Sequence, residues 1–166
     1  MTFKEQIDKE VEEGRVRSQV HPSLPLTIYK YTPETVYKRL WNEANLKCRG
    51  LVLDAEGNIV VNSMPKMFNH SEPDGEEVVK KNAGKKYTIT DKADGSLIQA
   101  ALYKGELVVT SSGSFTSTQA EKAREMLLYK YQDFSLEEDV TYIFEIIYPE
   151  NRIVLDYGNQ ESLTFI

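Results

Sequence analysis

The sequence predicts an α+β fold of antiparallel β-sheets with a few flanking helices. Three observations carry this. Short strand-like runs return on themselves through tight turns such as Ala55-Glu56-Gly57-Asn58 and Lys104-Gly105. Helical periodicity appears in only a few places, without the regular strand-helix alternation that a βαβ sheet requires. At 166 residues, with 40% hydrophobic and 28% charged residues, the chain has the length and composition of one compact domain with a real core.

The elements follow in order. Phe3, Ile7 and Val11 recur every four positions and predict a short amphipathic helix ending near Gly14. After Pro22 and Pro25, the alternation of Leu26, Ile28 and Tyr29-Lys30-Tyr31 predicts a strand. Thr32-Pro33-Glu34 then opens a helix carrying Val36, Leu40 and Trp41 on one face. Leu51-Val52-Leu53-Asp54 and Ile59-Val60-Val61 form a hairpin. Further strands are predicted over 86–91, 97–103, 106–111, 141–148, 152–156 and 163–166. One helix interrupts them: Thr118 and Glu121 have capping-box spacing, and Ala120, Ala123, Leu127 and Leu128 form its apolar stripe through Tyr131.

Charge narrows the function. A formal net charge of −6 argues against holding nucleic acid by spread-out phosphate neutralisation, so any such contact must be local. The acidic groups Glu10, Glu12, Glu13 and Glu137, Glu138, Asp139 are expected to be solvated surface. No apolar run is long enough to cross a bilayer and the charged start lacks a signal-peptide core, so a cytoplasmic location without membrane contact is expected. The single cysteine, Cys48, with only His21 and His70 for company, has no zinc-ligand spacing and is expected to be a packing residue.

The chemically informative stretch is Thr90-Asp91-Lys92-Ala93-Asp94-Gly95-Ser96-Leu97, a lysine at a strand end followed by an Asp-Gly turn. A free lysine amine, with a pKa of about 10.4, is protonated at neutral pH and becomes a nucleophile only beside cations or out of water. From these residues alone a plain hairpin turn with a solvated lysine is an equal reading.

Lys-x-Asp-Gly resembles the nucleotidyl-acceptor motif of the covalent nucleotidyltransferases: DNA ligases, RNA ligases and messenger-RNA capping enzymes. Four further stretches are similar to RNA ligases of the T-even phage type. Cys48-Arg49-Gly50-Leu51-Val52 resembles their Arg-Gly strand, and Pro65-Lys66-Met67-Phe68-Asn69 their Lys-Phe-Phe-Asn segment. Phe144-Glu145, followed by Pro149-Glu150-Asn151-Arg152-Ile153-Val154, resembles their Phe-Glu strand and Pro-x-Asn-Arg-Ile-Val segment. Ser112-Gly113-Ser114-Phe115 is similar to a pocket-lining segment, but Ser112 stands where relatives often carry a basic residue. Tyr29 aligns, across a gap, with a tyrosine placed near ATP.

The resemblance implies a nucleotidyltransferase (ligase adenylation) domain over 1–166, with a family-specific segment at 1–47 and the core at 48–166. It implies Lys92, Asp94 and Glu145 as catalytic residues. Tyr29, Arg49, Lys66, Phe68, Lys92, Gly95 and Glu145 would bind the nucleotide, and Asp94 and Glu145 would assist the metal. The implied cofactors are ATP and Mg²⁺, with Mn²⁺ as a substitute. The implied partners are RNA ends bearing a 5′-phosphate and a 3′-hydroxyl, cleaved transfer RNA among them. The family's later Glu-Gly strand and lysine-rich strand are not present, so a fragment truncated at its C-terminus and slow or inactive alone is expected. The competing expectations are a DNA ligase or capping-type enzyme, and a non-catalytic nucleotide- or RNA-binding module.

Overall fold

The computed structural model describes residues 1–166. It has two four-stranded antiparallel sheets. The first consists of β1 (Val16–Val20), β2 (Leu26–Tyr31), β3 (Arg49–Asp54) and β4 (Ile59–Val61), in chain order. The second contains β5 (Ser96–Tyr103), β6 (Glu106–Ser111), β7 (Tyr142–Ile147) and β8 (Ser162–Phe165), in the order β6-β5-β7-β8. The helices are α1 (Phe3–Glu12), α2 (Pro33–Lys38), α3 (Pro73–Lys81) and α4 (Thr118–Glu125). The α+β expectation therefore holds. No helix is long and apolar enough to cross a membrane.

Side-chain alternation along the strands sorts the core into layers. Ile7 of α1 packs with Val16, Tyr29, Leu51 and Leu53 on the outer face of the first sheet. Leu26, Ile28 and Val52 point the other way, meeting Ala101, Val108 and Phe115 between the sheets. Ile98, Ala100, Phe144 and Ile146 cover the far face of the second sheet beneath Ala123, Met126 and Leu127. Cys48 is fully buried in the first of these clusters, and burial pushes its thiol up to about 12, in keeping with a packing role.

Several sequence expectations are corrected. Residues 86–91 form no strand: both edges of β5 are already occupied by β6 and β7, which leaves this segment no ladder beside it. Residues 152–156 are also irregular, because the N–H groups of Val154 and Leu155 donate to the Asp94 carboxylate rather than to a neighbouring strand. α2 stops at Lys38, where Arg39 adopts a left-handed φ of 54°, so Leu40 and Trp41 fall outside it. Ser117, not Thr118, caps α4, its hydroxyl accepting from the Ala120 N–H. The chain continues from α4 as a π-helical turn over Met126–Lys130, burying Met126 and Leu127 and leaving Leu128 exposed.

Two elements escaped the sequence reading. In α3 the branched apolar residues are only the adjacent and exposed Val78 and Val79, yet Pro73 at its first turn, Asp74 and Glu76 near its start and Lys80 and Lys81 near its end match the helix dipole. β1 has only one buried residue, Val16. Glu10 also departs from its expected place: it is buried at 5% exposure between α1 and the Asn42–Asn45 turn.

Candidate active site

A cavity of about 790 Å³, within the size range of small-molecule sites, is lined by residues of both sheets. Lys30 enters it from β2, Arg49 from β3, Lys92 and Gly95 from the segment leading into β5, and Glu145 from β7. Asp91 adds a second carboxylate to the lining.

Local geometry places each side chain. Gly50 has φ +97° at the point where the β2–β3 register shifts between Tyr29 and Lys30, a bulge that sets Arg49 opposite Lys30. A Cβ at Gly50 would lie 2.2 Å from Nε2 of the fully buried Gln99, which donates to the Gly50 carbonyl at 3.0 Å. Glycine is thus required twice there, by conformation and by space. Across the second sheet, Glu145 pairs with Leu97, and its Oε1 accepts the Gly95 N–H at 3.0 Å. That bond ties the acceptor turn to β7. Asn151 reinforces the tie, donating to Ser96 Oγ at 3.0 Å and accepting from Gln119 Nε2 at 3.2 Å.

The electrostatics are cationic. Arg49 Nη1 is buried and has no hydrogen-bond partner. Burial, reinforced by Arg17 and Arg49, lowers the pKa of half-buried Lys30, whose ammonium donates to Ser112 Oγ at 2.8 Å. Ser112 thus occupies the expected basic position and holds a lysine from β2 beside it. Burial raises the Glu145 pKa, an effect opposed by the Gly95 N–H and the charges of Lys92 and Arg49. Lys92 itself is exposed at the cavity edge, and its ammonium contacts only the Ala93 carbonyl, at 3.4 Å.

A family model described as RNA ligase matches residues 47–166, which include every cavity residue named above except Lys30. The chain belongs to the RNA ligase family. A curated relative from Thermovibrio ammonificans, named "Putative RNA ligase", is 31% identical over 124 residues, covering 69% of this chain. The match takes in 32% of that relative, so the chain spans about a third of its length.

Among the residues that the RNA ligase resemblance singled out, the structure brings Lys92, Arg49, Gly95 and Glu145 to one cavity. The others lie elsewhere. Tyr29 points to the opposite face of β2, into the α1 core, because its neighbour Lys30 takes the cavity face. Lys66 lies over the ring of Phe68 at 4.6 Å and that of Trp41 at 5.9 Å, and donates to the Met67 carbonyl at 2.6 Å. Neither Lys66 nor Phe68 lines the cavity, although Met64 and Met67 do.

Asp94 turns away, accepting the N–H groups of Val154 at 2.7 Å and Leu155 at 2.6 Å. Those bonds, Leu155 first, hold its carboxyl below the usual carboxylate range. No group of three or more His, Cys, Asp or Glu side chains converges on a metal position. Glu145 and Asp91 nevertheless suit Mg²⁺, which is commonly bound through one or two carboxylates, water and substrate phosphates. Lys30 and Asp91 were missed by sequence reasoning. Alternation from Ile28 through Lys30 could have placed Lys30 on the inter-sheet face.

Proposed function

We propose that this chain carries the nucleotidyl-transfer site of an ATP-dependent RNA ligase, on the nucleotidyltransferase fold. One observation carries the reading: the exposed amine of Lys92 shares a nucleotide-sized cavity with Lys30 and with Arg49, whose buried Nη1 has no hydrogen-bond partner. Arg49 and Lys30 draw in and screen the triphosphate, and Glu145 keeps the Lys92 turn against β7 through the Gly95 N–H. The Lys92 amine, deprotonated, attacks the α-phosphorus. A nitrogen–phosphorus bond forms, the bond to the bridging oxygen breaks, and pyrophosphate leaves with its electron pair. Glu145 and Asp91 are the carboxylates that would hold a Mg²⁺ bound with the phosphates, which would supply further charge screening.

AMP then passes from Lys92 to an RNA 5′-phosphate, and a 3′-hydroxyl attacks that phosphate, joins the ends and releases AMP. Family membership and the Asn151-Arg152-Ile153 string favour RNA as the polymer. The test is prolonged incubation with ATP and Mg²⁺ followed by peptide mass spectrometry. One AMP on the peptide containing Lys92 is expected. ATP binding with Lys92 unmodified throughout would replace the ligase reading with a nucleotide-binding module, and label from GTP alone would point to capping chemistry.

The same assay probes Gly95. A Cβ there would lie 2.2 Å from the Ile146 carbonyl oxygen and 3.1 Å from Glu145 Cγ, so the turn must lift off β7. Gly95→Ala is expected to slow AMP addition by about 100-fold, the cost of misplacing a reacting group by roughly an ångström. Overpacking should also cost about 1–3 kcal/mol in a denaturant titration. Wild-type rates would show that the turn does not position Lys92.

A further inference from the structure

Arg17, Lys30 and Arg49 stand in a row across β1, β2 and β3: Arg17 pairs with Lys30, and Lys30 with Arg49. Directly opposed residues of neighbouring strands share a face with Cβ atoms about 4.5–5.5 Å apart, and like charges placed so repel. None of the three takes part in a salt bridge, in a chain with 26 acidic residues and a net charge of −6.

The row is also built. Lys30 is half-buried and anchored on Ser112 Oγ, and Gly113 lies directly on its stem. A Cβ at Gly113 would come 2.3 Å from Lys30 Cδ and 3.2 Å from Arg17 Nη2. Arg49 Nη1 is buried without a partner at the inner end, and Arg17 is exposed at the outer end. The lowered pKa of Lys30, caused by burial and then by Arg17 and Arg49, records the same crowding. Three aligned cations with no salt-bridge partner cost the empty fold stability and gain it back from an anionic chain laid along them.

We infer that Arg17, Lys30 and Arg49 form a phosphate track that takes successive phosphates from the cavity at Arg49 out to the rim at Arg17. Its inner end rests on the nucleotidyl-transfer reading of the cavity; the row itself does not. The ligand chemistry is a chain of phosphates, supplied either by the nucleotide triphosphate or by the 5′-phosphorylated end of an RNA strand.

The test uses the whole chain and its Lys30→Gln and Arg17→Gln variants. Glutamine at position 30 keeps much of the stem under Gly113 and a donor for Ser112. Each protein is titrated calorimetrically with inorganic tripolyphosphate, ATP, adenosine, and one RNA oligonucleotide with either a 5′-phosphate or a 5′-hydroxyl. Each substitution is expected to weaken binding of phosphate-bearing ligands about ten-fold, leave adenosine unchanged, and leave the thermal midpoint equal or higher as repulsion is relieved. Loss confined to tripolyphosphate and ATP assigns the track to the nucleotide. Loss confined to 5′-phosphorylated RNA assigns it to the strand.

Wild-type affinities in both variants for every phosphate ligand, or no binding of any such ligand by the wild type, overturn the track. The two ideas fail separately. Phosphate binding that depends on Lys30 and Arg17 without AMP ever reaching Lys92 sinks the ligase reading alone. AMP on Lys92 with indifferent variants sinks the track alone.

Discussion

Lys92→Ala is expected to fold with wild-type stability and to acquire no AMP from ATP under any condition that labels the wild type. The stability half follows from its surroundings: Lys92 is exposed, has no salt bridge, and makes one long hydrogen bond to its neighbour's carbonyl. Truncating such a side chain changes stability by about ±0.5 kcal/mol or less. The activity half follows from the chemistry, since no other lysine amine takes its place. Lys30, the other lysine in the cavity, is committed to Ser112 from a different sheet. Lys92→Arg separates nucleophile from charge, because a guanidinium keeps the positive charge but stays protonated and does not attack phosphorus. Both variants should bind ATP and both should remain unlabelled by peptide mass spectrometry. AMP elsewhere on Lys92→Ala would move the nucleophile to that residue.

The largest effect on stability is expected at Glu10. Its carboxylate receives two bonds from Arg15, at 2.7 and 2.8 Å, and a third from Asn45 Nδ2 at 2.9 Å, in a place the solvent barely reaches. Those bonds join α1 to the turn that leads into β3, so the whole N-terminal layer depends on them. Glu10→Ala leaves a buried vacancy and takes from Arg15 one of its two carboxylate partners, Glu13 being the other, and from Asn45 Nδ2 one of its two acceptors, at an expected cost of about 1–3 kcal/mol.

The pH dependence carries its own sign. The Arg15 guanidinium first, then Asn45 and Asn42, hold the Glu10 carboxyl down at about 2 against 4.5 in its ordinary state. Protonation therefore opposes the fold, and the stabilisation is fully present above pH 4.5 and lost as pH falls towards 2. Denaturant titrations from pH 7 to pH 2 should show wild type losing more stability than Glu10→Ala across that window. Parallel curves would show that this ion pair does not hold the layer.

The candidate site was legible in the sequence to the extent that its motifs name side chains that the fold brings together. Lys92, Arg49, Gly95 and Glu145 come from three separate stretches, and the fold gathers all four at one cavity. Where the reading failed, it failed on pairing. The runs 86–91 and 152–156 look like strands because their residues suit strands, but a strand needs a partner edge, and one segment finds both sides of β5 taken while the other meets Asp94. Glu10 looked solvated beside Glu12 and Glu13 because nothing local announces that Arg15 and Asn45 close over it.

By itself the sequence determined the hairpin-rich α+β class and which side chains make up the proposed site, since turn chemistry, alternation and motif spacing are local properties. Which side chains face the cavity was decided only by tertiary structure. The bulge at Gly50 sets Arg49 opposite Lys30 on the cavity side while Tyr29 faces the α1 core, and strand pairing completes the row with Arg17. Facing depends on register between segments far apart in the chain, and register is settled by packing two sheets together.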